Sequence, residues 1–295
     1  MGKLVQAVVA TVAVSVAPAC AQIGNIAVTS AASFQNGMPD LGSLGTIFCT
    51  GLAVNGVVNA SQLPLPTTLA GVTVTAGGAP APLLAVASLG AYQQINFQVP
   101  QAMAVSPDGT TLVVVSQNGT SGSGAATFVF NSPGAFFQVT SNGRQLGAFQ
   151  HASDYSLVTT DNPAAAGETI IGYLTGLPPV VPTVPDGQPA PASPLPVEPQ
   201  PDTQASIVEF SVYVGGPFPD AFEGQAASPI SYIGLSPGSV GLYQVNFVLS
   251  PVGFSGLQAV QLAETSCFAI SGDCRERPIT ITDNEIGPPV LLPVR

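Results

Sequence analysis

The chain has 295 residues, 46% of them hydrophobic and only 7% charged, where ordinary soluble chains carry roughly a quarter charged. Sixteen acidic groups stand against five basic ones, for a formal net charge of −11. That balance excludes nucleic-acid binding and electrostatic docking on anionic lipid, both of which need clustered Lys and Arg. The acidity reads as solubility for an otherwise apolar surface. The 32 glycines and 29 prolines are spread between apolar runs, a pattern of many short strands joined by turns rather than of disorder.

The N-terminus carries a targeting pattern. Met1-Gly2-Lys3 supplies a positive start, residues 4–16 are apolar apart from Gln6, Thr11 and Ser15, and Ala19-Cys20-Ala21 is a small-x-small site. This predicts a signal peptide over 1–21, cleaved between Ala21 and Gln22, and a secreted or cell-surface protein. A rival reading makes Cys20 a lipid-attachment cysteine, which Ala17-Pro18 fits poorly. No later run is apolar for long enough to span a membrane.

An oxidising compartment bears on the remaining cysteines. Cys267 and Cys274 bracket a turn signal at Ser271-Gly272-Asp273 and are predicted to form a disulfide. Cys49 lies in an apolar run and reads as a buried small hydrophobe.

The strongest internal signal is duplication. Gln94-Ile95-Asn96-Phe97 returns as Gln244-Val245-Asn246-Phe247, each preceded by a tyrosine, Tyr92 and Tyr243. Their strict alternation predicts strands with one face in a core. Residues 46–52, beginning Thr46-Ile47, answer residues 169–177, beginning Thr169-Ile170, with small insertions. Val72-Thr73-Val74-Thr75-Ala76-Gly77-Gly78 answers Phe210-Ser211-Val212-Tyr213-Val214-Gly215-Gly216, with the glycine pairs as hairpin turns. The order predicts two antiparallel units of about 100 residues each.

The first unit is placed at 22–131, with strands near 111–116 and 127–130 separated by a flexible Gly/Ser turn from Asn118. A connector follows at 132–163 and a second unit at 164–282. Residues 178–201 hold ten prolines and read as an exposed, PPII-like loop; 283–295 is a tail, loose or packed as an edge strand.

These pieces, together with Ser30-Ala31-Ala32-Ser33-Phe34, Leu65-Pro66-Thr67-Thr68-Leu69-Ala70-Gly71-Val72 and Asn162-Pro163-Ala164-Ala165, resemble the IPT/TIG branch of immunoglobulin-like domains. The set is more similar still to the uncharacterised Solibacter-type C-terminal domain family of acidobacterial exported proteins. The resemblance implies export and two tandem immunoglobulin-like antiparallel β-sandwiches, an all-β fold. It implies no known reaction. Cys49 stands where such domains usually place a small residue, and the Cys267–Cys274 region departs from the pattern.

Chemistry is sparse. Gly234-Leu235-Ser236-Pro237-Gly238 spells a nucleophile elbow, but Pro237 cannot donate the N–H that the oxyanion needs, so the segment reads as a turn. His151 is the single histidine. A serine triad would have to use it, with Asp154 or Asp161 as orienting carboxylate, but its setting reads as a polar connector. Asp283-Asn284-Glu285 offers oxygens for Ca²⁺, with a solvated turn as the plainer reading. No catalytic residue, metal or cofactor is assigned. Phe136-Phe137 and Tyr155 could form a small aromatic patch for sugar, core packing being the safer assignment. The expectation is a structural or adhesive module that meets a protein or cell-surface partner, self-assembly included, with an extracellular carbohydrate-binding module as the alternative.

Overall fold

The computed structural model describes residues 22–128, 134–197, 206–215, 227–250, 255–268, 284–286 and 288–295. In the first unit the strands are β1 (Gly24–Ser30), β2 (Leu44–Thr50), β3 (Val57–Asn59), β4 (Thr68–Leu69), β5 (Val72–Ala76), β6 (Ala79–Pro80), β7 (Leu83–Ser88), β8 (Gln93–Gln98), β9 (Thr110–Gln117) and β10 (Thr120–Thr127). One sheet runs β1-β2-β8-β7-β3 and the other β10-β9-β5-β4, with β6 beside β5. Between them lies a core that includes Ile47, Cys49, Ile95 and Phe97 from the first sheet and Val72, Val74, Val113 and Val115 from the second. The predicted alternation holds, since Ile95 and Phe97 are fully buried.

The second unit repeats the plan with β11 (Ala135–Phe136), β12 (Gln138–Ser141), β13 (Arg144–Gly147), β14 (Phe149–His151), β15 (Thr169–Thr175), β16 (Ser206–Val214), β17 (Ala227–Ser228), β18 (Ile230–Leu235), β19 (Tyr243–Val248), β20 (Gly256–Phe268), β21 (Asn284–Ile286) and β22 (Val290–Val294). Its sheets run β11-β15-β19-β18, with β14 beside β15, and β17-β16-β20-β21, with β22 beside β20. The chain is thus all-β, two tandem immunoglobulin-like antiparallel β-sandwiches.

Register corrects the alignment of the repeat. Thr46 lies opposite Asn96 and Phe48 opposite Gln94; Ile171 lies opposite Asn246 and Tyr173 opposite Gln244. Thr46 therefore corresponds to Ile171, not Thr169, and the match runs without insertion into Thr50-Gly51-Leu52 and Thr175-Gly176-Leu177. The two tyrosines are not equivalent either. Tyr243 is buried and opposite Leu174, whereas the residue opposite Cys49 is Gln93, and Tyr92 lies one position outside the strand. Gln93 and Tyr243 do related work: Gln93 Oε1 accepts from Leu52 N at 3.1 Å, and Tyr243 Oη donates to Pro178 O at 2.8 Å. The second tether lands one residue further along, since Leu52 corresponds to Leu177 and Pro178 to Ala53.

Of the segment read as a connector, 132–163, the described residues 134–163 are structured. β11 and β14 pair with β15, and Phe136 and Phe149 are core residues with ring centroids 5.1 Å apart. β12 and β13 form a hairpin across Asn142-Gly143, both at positive φ, a two-residue turn that Asn-Gly favours. The flexible Gly/Ser turn from Asn118 is likewise a strand: β10 follows a turn at Asn118-Gly119 and pairs along the whole of β9. Its glycines answer a close approach, because a Cβ on Gly122 would overlap the Ile23 carbonyl just before β1 and one on Gly124 the Ile26 carbonyl of β1. The Pro-rich segment is anchored as well. Val180, Val184 and Ala190 are buried in the second core, and Val197 bridges both Val181 and Gly234 of β18. It stands where β3 stands against β7 in the first unit. The tail packs: β22 pairs with β20 and buries Val290, Leu292 and Val294.

Candidate functional site

His151 is not a solvated connector residue. It ends β14, buried to 7% exposure. Its partner is neither Asp154 nor Asp161 but Glu168: Nδ1 meets Glu168 Oε1, while Nε2 lies 3.2 Å from the Asn162 carbonyl. Glu168 Oε2 accepts from Ala165 N at 2.9 Å. A carbonyl can only accept, so Nε2 carries a proton. With both ring nitrogens engaged, the imidazole has no free basic nitrogen to activate a nucleophile. The pair ties the β14 corner to residues 162–168.

The histidine borders an open cleft of about 510 Å³ that also meets Ser153, Asp154, Asn162, Glu168 and Arg295. Asp154 accepts from the Ser156 hydroxyl at 2.7 Å and the Ser156 N–H at 2.9 Å. The hydroxyl first, and then the amide, hold its carboxyl below the ordinary value. Asp161 accepts from Asn142 Nδ2 at 2.8 Å. Ser236 Oγ donates to Gln244 Oε1 at 3.1 Å, and its segment turns through Gly238 at positive φ. Histidine, serine and these aspartates are spent in separate local bonds.

The other expected residues fall as follows. Ala21, Cys20, Cys274 and Asp283 lie outside the described residues. Gln22 begins them, the backbone of Cys267 pairs with Ile207 on β20, and Asn284 and Glu285 lie on β21. Cys49 is buried, and burial pushes its thiol up to about 11, so it is no thiolate at neutral pH. Phe136 packs inside and Tyr155 is 67% exposed, so they do not form one patch. Among the described residues no group of three His, Cys, Asp or Glu side chains gathers as a metal cage, and no helix is long and apolar enough to cross a membrane.

What sequence reasoning did not locate is the seam between the sandwiches. Ser43 Oγ donates to Leu177 O at 3.2 Å and accepts from Gly176 N at 3.1 Å. Thr175 Oγ1 accepts from Leu44 N at 2.7 Å. Alongside, Gln98 Nε2 donates to Gly42 O at 3.1 Å, and its Oε1 accepts from Gly187 N at 2.7 Å. Asp186 accepts from Gln101 N at 3.1 Å through both oxygens. Ser43, Thr175 and Gln98 are all buried. Buried donors and acceptors that satisfy one another across two units fix their docking, because separation leaves them to find new partners. One sequence signal was available. Gln98 breaks the likeness of the two strands, since the second unit has apolar Val248 at that place.

No family model matches the chain, and no curated protein matches it. Among solved structures the chain is similar to a tandem pair of titin immunoglobulin domains, at 11% identity over 87% of this chain and 89% of that one, with a TM-score of 0.15. A three-domain titin immunoglobulin segment is 10% identical over 93% of this chain and 99% of that one, with a TM-score of 0.18. An endo-fucoidan hydrolase of glycoside hydrolase family 107 is 13% identical over 76% of this chain and 24% of that one, also at 0.18. Likeness at this level identifies neither a ligand nor a reaction.

Proposed function

We propose that this chain is a secreted or cell-surface structural module, of the IPT/TIG-like and Solibacter-type kind, that works by presenting sandwich faces and sheet edges rather than by catalysis. The observation that supports it is the buried, mutually satisfied seam of Ser43, Thr175, Gln98 and Gly187. Such a seam holds two sandwiches as one body. A presenting module needs that fixity, because a partner then meets surfaces whose ordering entropy is already spent. The single histidine is used up in a structural tie, which supports a non-catalytic role. The partner is a protein or another copy at a cell surface, met through low-charge faces.

Fractionation of the source culture, with sizing and intact mass, tests the reading. Surface-bound or assembled protein beginning at Gln22 is the expected result. A free monomer in the medium counts against the structural role. Intact mass with and without reductant reads the Cys267–Cys274 bridge in the same sample.

A further inference from the structure

The outer face of each sandwich's first sheet carries the same constellation. β1 ends at Ser30 and turns through Ala31-Ala32-Ser33-Phe34; β14 ends at His151 and turns through Ala152-Ser153-Asp154-Tyr155. The backbone bonds coincide. Phe34 N donates to Ser30 O at 3.1 Å and Tyr155 N to His151 O at 2.9 Å; Ser30 N donates to Gln35 O and His151 N to Ser156 O, both at 3.0 Å. The pairing agrees: Val28 faces Ile47 in the first unit and Phe149 faces Gly172 in the second.

Each turn places an aromatic ring at a left-handed residue, Phe34 at φ 57° and Tyr155 at φ 61°. Bulky residues rarely adopt that conformation, and glycine or asparagine would relieve it. The rings gain little burial in return, being 55% and 67% exposed. Beside each stands a second aromatic at an equivalent strand position. Phe48 lies 6.1 Å from Phe34 between ring centroids and 5.8 Å from Tyr92. Tyr173 lies within electrostatic reach of Tyr155, and its hydroxyl donates to Gln150 Oε1 at 2.7 Å. An amide pair follows in both units: Gln94 Nε2 donates to Asn96 Oδ1 at 2.8 Å, and Gln244 Nε2 to Asn246 Oδ1 at 2.9 Å.

None of these aromatic and amide side chains is charged, in a chain of net charge −11. Exposed rings offer flat apolar surface, and amides offer both donors and acceptors. We propose that the two faces, centred on Phe34 and Tyr155, are equivalent platforms for a neutral polysaccharide. Sugar rings would lie their C–H faces on the aromatics and turn hydroxyls to Gln94–Asn96 and Gln244–Asn246. The exposed Asp154 carboxylate next to Tyr155 disfavours an anionic polymer, which fits an uncharged one. Two like platforms on sandwiches joined by a fixed seam fit a ligand that is itself a repeat. This goes beyond the structural role, giving it a glycan to hold.

Affinity electrophoresis of the full chain through laminarin, hydroxyethylcellulose, galactomannan and dextran tests it, with polygalacturonate as the anionic comparison. The expected result is retardation by at least one neutral polymer. Phe34→Gly and Tyr155→Gly each weaken it roughly tenfold, the loss of one aromatic contact, and the double variant weakens it further. Glycine accepts the left-handed backbone, so melting temperatures do not fall. Leu112→Ala, an exposed position on β9 of the opposite sheet, leaves retardation unchanged. The proposal is overturned by no retardation in any neutral polymer, by retardation in polygalacturonate alone, or by glycine variants that bind like the parent. It is also overturned if both glycine variants melt lower, which makes the rings packing residues, or if the face captures a protein and no glycan.

Discussion

The ends of the two sandwiches share a backbone and differ in what their side chains do. Gly42 N donates to Val99 O at 2.9 Å and Val99 N to Ser43 O at 2.8 Å; Gly167 N donates to Leu249 O and Leu249 N to Glu168 O, both at 2.8 Å. Ser43 and Glu168 thus occupy one structural position. In the first unit Ser43 reaches out and bonds the neighbouring sandwich through Leu177 and Gly176. In the second, Glu168 turns inward to His151, which stands where the first unit has Ser30. The backbone ladder carries the fold, and one side chain decides whether an end becomes a joint or closes on itself.

The largest effect expected from breaking the likeness is in the cores. Phe97 and Phe247 are fully buried at equivalent sites of the two repeats, and Phe247 meets Phe149 edge-on at 6.1 Å. Phe97→Ala or Phe247→Ala should each cost about 3–5 kcal/mol from lost burial and cavity formation. Because the seam couples the units, calorimetry should show one transition moving down in both variants. Two transitions, with only the mutated unit shifted, would mean that the seam does not couple them.

A smaller effect belongs to the joint. Ser43→Ala leaves Leu177 O and Gly176 N without their hydroxyl partner in a buried place, at a cost of about 1–3 kcal/mol. Urea denaturation of parent and variant measures it, and an unchanged midpoint would show that the seam is not needed. At the matching position Glu168→Gln keeps the shape and an acceptor for Ala165 N but loses the carboxylate at His151. The expected cost is about 1 kcal/mol, the difference between a charge-assisted and a neutral bond. A Glu168→Gln cost larger than that of Ser43→Ala would reverse the ranking of joint and closed end.

The same contrast explains what could be read from the sequence. Gln94-Ile95-Asn96-Phe97 and its partner were legible because period-two burial writes itself into residue type. Asn142-Gly143 carried a hairpin signal inside the supposed connector, but β12 and β13 are only four residues each, too short for alternation to stand out. Ser30-Ala-Ala-Ser-Phe34 and His151-Ala-Ser-Asp-Tyr155 correspond but share a single identity, Ala31 with Ala152. The correspondence rests on backbone bonds rather than on residue identity, so only register exposes it. His151 was misplaced because burial of a polar residue depends on its partner Glu168, which lies 17 residues on, just before β15. The seam was the least legible of all: serine, threonine and glutamine look like surface residues until a second sandwich covers them.

The smallest effect concerns the one seam residue that ionises. Burial raises the Asp186 carboxyl above its ordinary value, and the hydrogen bond from Gln101 N opposes but does not cancel that rise. An acid whose folded pKa is raised binds its proton more tightly folded than unfolded. Its contribution therefore falls as pH rises from about 4 through the raised folded value, then stays level. Exposed Asp108 and Asp154 are shifted the other way and contribute stability that is lost as pH falls. Total stability mixes the two, so the informative quantity is parent minus Asp186→Asn. Asparagine keeps an oxygen for Gln101 N and removes the ionisation. Relative to this variant, the parent should lose stability as pH rises through the interval, and the variant should be at least as stable above it. A parent that gains on the variant over that range would mean that the Gln101 contact outweighs burial, and that Asp186 holds the seam as a charge.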